Sequence, residues 1–422
     1  MNRRDFLKKF AAVGAGAPFL LSQESTGLLS NRTLEVGISL YAGLTTEPFG
    51  FGIYANVRSG FKGVYKEDQE TIERWAKNPY ISGTQLNFLW GELEPKEGRY
   101  RWDLIEEGLE VWASNGKKCW TEIPTAGRWA KPGRHPTPEW AYEKGVPKIQ
   151  APDTAAYPVF WNELYLELWD NFIRAFADRY DGDPRIDHVA TAGYSNGTEP
   201  RLSAKENDKL MDQWESAGFD GFGVSGVYYT QAVKPILKFF ADAFKKTPVS
   251  QTIIDRYEFC EAMHQYAAKL GFILTSNGMG TRSMNPENRQ KWRRRRELLG
   301  VKVGFHEWGP SGRNLQGNRA KKVPLLWAYK NIIGDDNDAE LKPYSRISYV
   351  TLSKRIDEVE TEQEWMAALK WAWEHLERNR WPPPARGQAC PCEGPRFAGI
   401  QSRGPAIVSE CASSEYDEWR IL

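Results

Sequence analysis

From residue 33 onward the chain alternates short, uniformly apolar runs with longer stretches whose apolar residues recur every three or four positions. The short runs predict strands at 34–41, 84–89, 118–123, 186–192, 248–254, 271–276, 301–306 and 345–352. The longer stretches predict helices at 66–77, 104–114, 160–180, 203–216, 226–245, 257–270, 286–299, 320–333 and 362–378. In the segment 160–180, Leu164, Leu168, Phe172, Phe176 and Tyr180 form one stripe, the pattern of a helix laid on a sheet. Eight strand–helix units without an internal repeat predict an α/β fold, a closed (β/α)8 TIM barrel. An open doubly wound sheet is the competing arrangement, but no Gly-x-Gly-x-x-Gly follows the first predicted strand. Pro382-Pro383-Pro384 ends the last helix, and no periodicity follows it. The expected organisation is a leader over 1–30, a barrel over 31–381 and a C-terminal extension over 382–422.

The leader expectation rests on Arg3-Arg4-Asp5-Phe6-Leu7-Lys8 followed by the apolar stretch Phe10 to Leu21. This is the pattern of a twin-arginine signal, and the stretch is too short for a permanent membrane anchor. The expected partner is therefore the twin-arginine export machinery, and the expected location is periplasmic or secreted. Residues 1–30 carry Arg3, Arg4, Lys8 and Lys9 against Asp5 and Glu24, so their removal shifts the formal net charge from +1 to −1. A near-neutral balance gives no electrostatic reason to expect a nucleic-acid partner. The run Arg293 to Arg296 reads as a solvated helix face.

Of the five cysteines, Cys119 falls in a predicted strand and Cys260 in a predicted helix, where both are expected to be buried. Cys390, Cys392 and Cys411 fall in the tail, where Cys-x-Cys without a neighbouring histidine is a poor zinc signature. No metal and no cofactor are expected.

The chemistry centres on two glutamates. Glu199, in Gly193-Tyr194-Ser195-Asn196-Gly197-Thr198-Glu199-Pro200, follows the fourth predicted strand, and Glu307, in His306-Glu307-Trp308, follows the seventh. In a β/α barrel the carboxyl ends of the strands form the face on which active sites are built. Two carboxylates there suit glycoside hydrolysis, one protonating the leaving oxygen and one attacking the sugar. Carboxyl groups ~5–5.5 Å apart imply retention, and ~6.5–9.5 Å implies inversion. Rival carboxylates are Glu122, Asp220 and Asp255, whereas Glu92 and Glu94 read as structural. Strand-end groups suited to binding sugar hydroxyls are Asn87, Asn196, Asn277 and His306. Trp90, Trp129, Tyr194 and Trp308 are candidate aromatic platforms, and Tyr228 or Tyr229 a candidate to orient the nucleophile.

The segment Trp90-Gly91-Glu92-Leu93-Glu94-Pro95 with Gly98-Arg99-Tyr100-Arg101-Trp102 resembles clan A glycoside hydrolases, in particular the β-galactosidase-like family 42. Thr137-Pro138-Glu139-Trp140 and Tyr180-x-x-Asp183-Pro184-x-Ile186 fit the same family. The resemblance spans roughly 34–310 through short motifs. It implies an acid/base glutamate after the fourth strand and a nucleophile after the seventh, the positions of Glu199 and Glu307. One departure is that Thr198 precedes Glu199 where much of the clan has Asn.

The expected function is exported, retaining hydrolysis of β-glycosidic bonds in an oligo- or polysaccharide. Galactosides are one expected substrate class. Anionic or sulfated glycans are another, because Arg128, Lys131, Arg134, His135, Arg313 and Arg319 fall in loops at the same mouth. A non-catalytic glycan-binding barrel is the alternative. An exported oxidoreductase is disfavoured because no dinucleotide, flavin or metal motif occurs.

Overall fold

The computed structural model describes residues 52–56, 69–127, 130, 133–150, 154–194, 200, 202, 208–254, 257–277, 303–306, 324–334, 349–353 and 361–378. Eight strands close a barrel: β1 (Gly52–Asn56), β2 (Gly83–Asn87), β3 (Lys118–Glu122), β4 (Ile186–Ala190), β5 (Val249–Ile253), β6 (Ile273–Asn277), β7 (Val303–His306) and β8 (Tyr349–Ser353). Every neighbouring pair is parallel, and β1 pairs with β8 to complete the ring. The expected (β/α)8 barrel is therefore the observed one.

Helices α1 (Gln69–Lys77), α2 (Trp102–Ala113), α3 (Glu163–Tyr180), α4 (Asp208–Ser216), α5 (Lys234–Ala243), α6 (Cys260–Lys269), α7 (Leu325–Ile333) and α8 (Glu362–Arg378) are described around it. The predicted helix 286–299, the strand 34–41, the leader and the tail lie outside the described residues. The first strand differs from the expectation: Gly52–Asn56 fills that place, not 34–41. The segment 34–41 carries the longer run of aliphatic residues, Leu34, Val36, Ile38 and Leu40 among them, and drew the expectation away from 52–56.

The alternation along each strand divides the core in two. Tyr54, Trp120, Ala190 and Ile273 meet inside the barrel, while Ile53, Leu86, Cys119, Val189 and Leu274 face the helical layer. Cys119 and Cys260 are both buried, as expected, and burial pushes the Cys119 thiol pKa up. The ring of helices closes where Trp75 of α1 meets Trp365 of α8, with centroids 5.0 Å apart.

Helix α3 forms because Asn162 caps it, its side chain accepting from the Tyr165 amide at 3.1 Å. Its buried stripe is Tyr165, Leu168, Trp169, Phe172, Ile173, Phe176 and Tyr180. Leu164, expected in that stripe, is only partly buried. Each large apolar side chain buried there contributes about 1.5–3 kcal/mol.

The start of β4 is set by charge. Asp183 accepts from the Arg185 amide at 2.9 Å and pairs with its guanidinium at 2.7 Å. Arg185 also reaches Glu106 of α2 at 2.8 Å, so the Asp183-Pro184 motif fixes where the strand begins.

The stretch read as one helix over 226–245 divides into a π-helical turn, Tyr228–Val233, and α5. Pro235 has no amide hydrogen to close the usual α-helical bond, and the wider turn accommodates that loss.

Gly193, three residues past β4, has φ 104°, and a Cβ there would run into the Trp169 indole nitrogen. Gly193→Ala should therefore lower stability by about 2 kcal/mol or more, from steric overlap and backbone strain together. Urea or thermal unfolding monitored by circular dichroism measures the loss.

Candidate active site

The strand ends define the rim. Register pairs Asn87 of β2 with Glu122 of β3, and Asn277 of β6 with His306 of β7. Asn87, Asn277 and His306 thus stand at the carboxyl ends, where sugar-binding groups were expected. Glu307 and Trp308 follow His306 directly. Asn196 and Glu199 follow β4 in sequence, and Trp129 follows β3. These five residues, like Asp255, lie outside the described residues.

How the loop toward Glu199 leaves the barrel is described in detail. Three consecutive carbonyls each accept from a different buried aromatic side chain. Trp169 Nε1 donates to Ala192 at 3.2 Å, Tyr165 Oη to Gly193 at 2.5 Å, and Tyr228 Oη to Tyr194 at 2.7 Å. All three donors are fully buried. Burial pushes the Tyr165 pKa well above the usual tyrosine range, so its hydroxyl keeps the proton it donates. That single proton is committed to Gly193, so the 2.8 Å contact between Tyr165 and Thr125 has Thr125 as donor. Thr137 in turn donates to the Thr125 carbonyl at 2.7 Å. A chain of hydrogen bonds thus joins the loop after β3 to the loop after β4.

Tyr194 was expected as a sugar platform, and its place corrects that. The side chain is fully buried, with its hydroxyl 2.8 Å from both Thr191 Oγ1 and Gln251 Oε1. Gln251 Oε1 also accepts from Thr191 at 2.6 Å. Burial raises the Tyr194 pKa, keeping that hydroxyl neutral. Its part is to hold the strand end. Tyr228, considered as an orienter of the nucleophile, spends its hydroxyl on the Tyr194 carbonyl, and Tyr229 stacks on Phe259 with centroids 5.2 Å apart.

Glu122 lies on the same strand face as Trp120, buried at the carboxyl end of β3, and accepts from the Gln85 side-chain amide. Below it Trp120 stacks on His188, with centroids 5.3 Å apart and planes 7° from parallel. His188 Nδ1 lies 2.6 Å from Asp187 Oδ2, and both side chains are buried. Asp220 accepts from the Val227 amide at 2.6 Å, which fixes the turn before Tyr228.

Trp90 is the second correction. Its ring is fully buried among Trp140, Tyr165, Trp169 and Phe172, with centroids 5.2–6.1 Å away. Its Nε1 donates to Glu94 Oε2 at 2.7 Å. Glu94 also accepts from the Gly98 amide at 2.8 Å, and its carbonyl accepts from Trp140 Nε1 at 2.9 Å. Glu92 accepts from the Leu89 amide at 3.4 Å and meets Arg134 at 3.5 Å. The Trp-Gly-Glu-Leu-Glu-Pro motif is thus a packing and capping unit. A platform must expose a ring face, and Trp90 has none to offer.

Of the residues that hold the β4 loop, Tyr165 and Trp169 escaped sequence reasoning, and Tyr228 was singled out for another role. The available signal was the pair of hydrogen-bonding aromatics one helical turn apart at 165 and 169, on the face of α3 that must meet the barrel.

No family model matches this chain, and no curated protein matches it. Solved structures do. The catalytic domain of β-amylase from Paenibacillus polymyxa is 10% identical with a TM-score of 0.51, covering 75% of this chain and 96% of that one. β-Galactosidase from Marinomonas ef1 is 12% identical with a TM-score of 0.49, and the match spans 77% of this chain but 58% of that one. Xylanase 10B from Thermotoga maritima is 11% identical with a TM-score of 0.46, covering 81% and 99%. The chain has the (β/α)8 barrel found in these glycoside hydrolases; at such identities the likeness is one of fold.

Two variants separate packing from binding at the Trp90 motif. Trp90→Phe should cost about 1–3 kcal/mol by leaving the buried Glu94 oxygen without its donor, with no change in affinity for saccharides by calorimetry. Burial raises the Glu94 pKa, against smaller lowering contributions from the Gly98 and Trp90 bonds. The folded state therefore holds a proton that the unfolded chain releases at lower pH, and this group's contribution to stability falls as pH rises through that interval. Glu94→Gln should flatten the slope of unfolding free energy just above the ordinary glutamate pKa, as read from denaturant titrations across pH.

Proposed function

We propose that the chain is an exported, retaining glycoside hydrolase acting on β-glycosidic bonds of an oligo- or polysaccharide, with Glu307 as nucleophile and Glu199 as acid/base. The observation that carries this reading is the closed parallel barrel in which β7 ends at His306, directly before Glu307, while the loop toward Glu199 leaves β4 held at three successive carbonyls. Strand-end carboxylates after β4 and β7 agree with the family resemblance read from the motifs.

In this reading Glu199 gives its proton to the leaving oxygen as Glu307 attacks the anomeric carbon. Water then attacks the glycosyl carbon from the side that Glu199 guards, Glu199 takes a proton from that water, and the bond to Glu307 breaks to release the sugar. The first step needs Glu199 protonated at rest, which a negative charge on Glu307 would favour at the ~5–5.5 Å separation that retention requires. Asn87, Asn196, Asn277 and His306 are the hydroxyl-binding groups, and Trp129 and Trp308 the remaining platform candidates. Glu122, buried at the same rim, supplies a further acceptor.

Thr198, standing where much of the clan has Asn, favours a second reading, a barrel that binds glycans without cleaving them. The two readings part on turnover. Glu307→Gln should abolish release of nitrophenol from aryl β-glycosides while saccharide binding persists, and unaltered turnover would remove Glu307 as nucleophile. Glu199→Ala should lower kcat by about 10²–10⁴-fold, with azide restoring rate on activated substrates. Export is tested separately: replacing Arg3 and Arg4 by Lys should leave the full-length chain in the cytoplasm, measured by fractionation.

A further inference from the structure

Buried polar groups in a folded chain are nearly always hydrogen-bonded, so one that is not calls for a reason. At the strand ends most of the described polar side chains are taken up by one another. Thr252 of β5 lies 3.0 Å from Thr275 of β6, Thr191 and Gln251 meet the Tyr194 hydroxyl, and Gln85 of β2 donates to Glu122 of β3. Asn87, the last residue of β2, stands apart. Only 4% of it is exposed, and its side-chain amide has no hydrogen-bond partner among the described residues. Its neighbour Leu86 faces the helical layer, so alternation along the strand turns Asn87 inward, toward the mouth of the barrel.

Register sets Asn87 directly beside Glu122, on neighbouring strands about 4.8 Å apart. Glu122 shares the strand face of Trp120, which fills the barrel interior, so both side chains project into the same end of the barrel. The bond from Gln85 fixes the Glu122 carboxylate in place. The two groups differ in what they can bind. A carboxylate only accepts hydrogen bonds, whereas an amide both donates and accepts. Side by side they suit two adjacent hydroxyls, one giving its hydrogen to Glu122 and the other exchanging hydrogen bonds with Asn87. A hydroxyl replaced by hydrogen, a methyl ether or a sulfate ester has no hydrogen to give, and a sulfate also sets a negative charge against the carboxylate. An enclosed site built on such bonds rejects the analogue that lacks a hydroxyl, because the buried groups are then left unpaired.

We propose that Asn87 and Glu122 form a specificity-determining pair that selects a neutral saccharide unit carrying two adjacent free hydroxyls. That the ligand is a saccharide rests on the glycosidase reading; that it presents a pair of free hydroxyls rests on an unpartnered amide beside a fixed carboxylate. The pair opposes an acidic or sulfated substituent on that edge of the ring, whatever charges the outer loops carry. Asn87 then serves the ligand and not the fold. Its removal takes no hydrogen bond from the protein, so it weakens binding without weakening the barrel.

The test is calorimetric titration of the full chain with the methyl β-glycosides of galactose, glucose and xylose, then with singly deoxygenated derivatives of the one that binds most tightly. Removing either of two adjacent hydroxyls should weaken binding at least about tenfold. In Asn87→Ala the loss at one of them, and in Glu122→Gln the loss at the other, should shrink to within about twofold, since partners removed together do not cost twice. Asn87→Ala should also leave the urea unfolding midpoint unchanged or raised. Losses that stay additive in both variants, the absence of an adjacent hydroxyl pair whose removal matters, or binding of none of the three glycosides overturns the proposal. So does a lowered midpoint in Asn87→Ala, which would give the amide a structural task. Should Glu122→Gln fail to fold, Asn87→Ala decides alone. Turnover of the matching nitrophenyl β-glycosides by the unaltered chain is followed alongside. Turnover with additive losses removes the pair and keeps the glycosidase. Non-additive losses without turnover keep the pair and remove the glycosidase.

Discussion

The carbonyls of Ala192, Gly193 and Tyr194 are the constraint on which the active-site face depends. Backbone leaving a strand must find new hydrogen-bond partners, and loops usually find them in water. Here the partners are an indole and two phenols, each delivered by the helical layer. Aromatic donors combine a large apolar body, which anchors the side chain in the core, with one polar atom that aims outward. Packing energy from α3 and the π-helical turn is thereby converted into a fixed exit direction for the chain. A conformation set in this way is preorganised, which a catalytic carboxylate needs if it is to act without reorganising at each turnover.

The same economy explains the aromatic content. With 18 Trp, 18 Tyr and 19 Phe the chain looks built for sugar stacking. Among the described residues, the large aromatics mostly build the scaffold instead. Trp90, Trp112, Trp169 and Trp214 are fully buried in the layer between strands and helices, and Trp120 plugs the barrel interior. Trp90 shows how a motif that resembles one of a hydrolase family can carry architecture, its ring fully buried. Its indole, the Glu94 carboxylate and the Gly98 amide form one closed unit that shapes the loop after β2.

What the sequence reveals divides along physical lines. The closed barrel follows from hydrophobic periodicity, which reports burial directly, and α8 has the bounds its pattern predicts. β1 is obscured because the aliphatic run at 34–41 gives the stronger strand signal in the same stretch. The rim positions of Asn87, Asn277 and His306 follow from strand ends alone. By contrast, Tyr194 and Trp90 look like ligand-facing aromatics because sequence records a ring but not which side of the sheet it occupies. Tyr165 and Trp169 sit in an apolar stripe, and nothing in periodicity separates a side chain that only fills space from one that also donates a hydrogen bond.

The thread of hydrogen bonds from Thr137 through Thr125 and Tyr165 to Gly193 has a further consequence for motion. Loops on a barrel face are ordinarily independent and open separately. Here Thr125 donates to the phenol that holds the exit from β4. A movement at Thr125 removes one hydrogen bond from that phenol while its bond to Gly193 persists, which couples the two loops without fusing them. Opening at Thr125 would then lower the protection of the amides after β4 in hydrogen exchange without abolishing it. An insertion or deletion tolerated in one loop would carry its cost into the other.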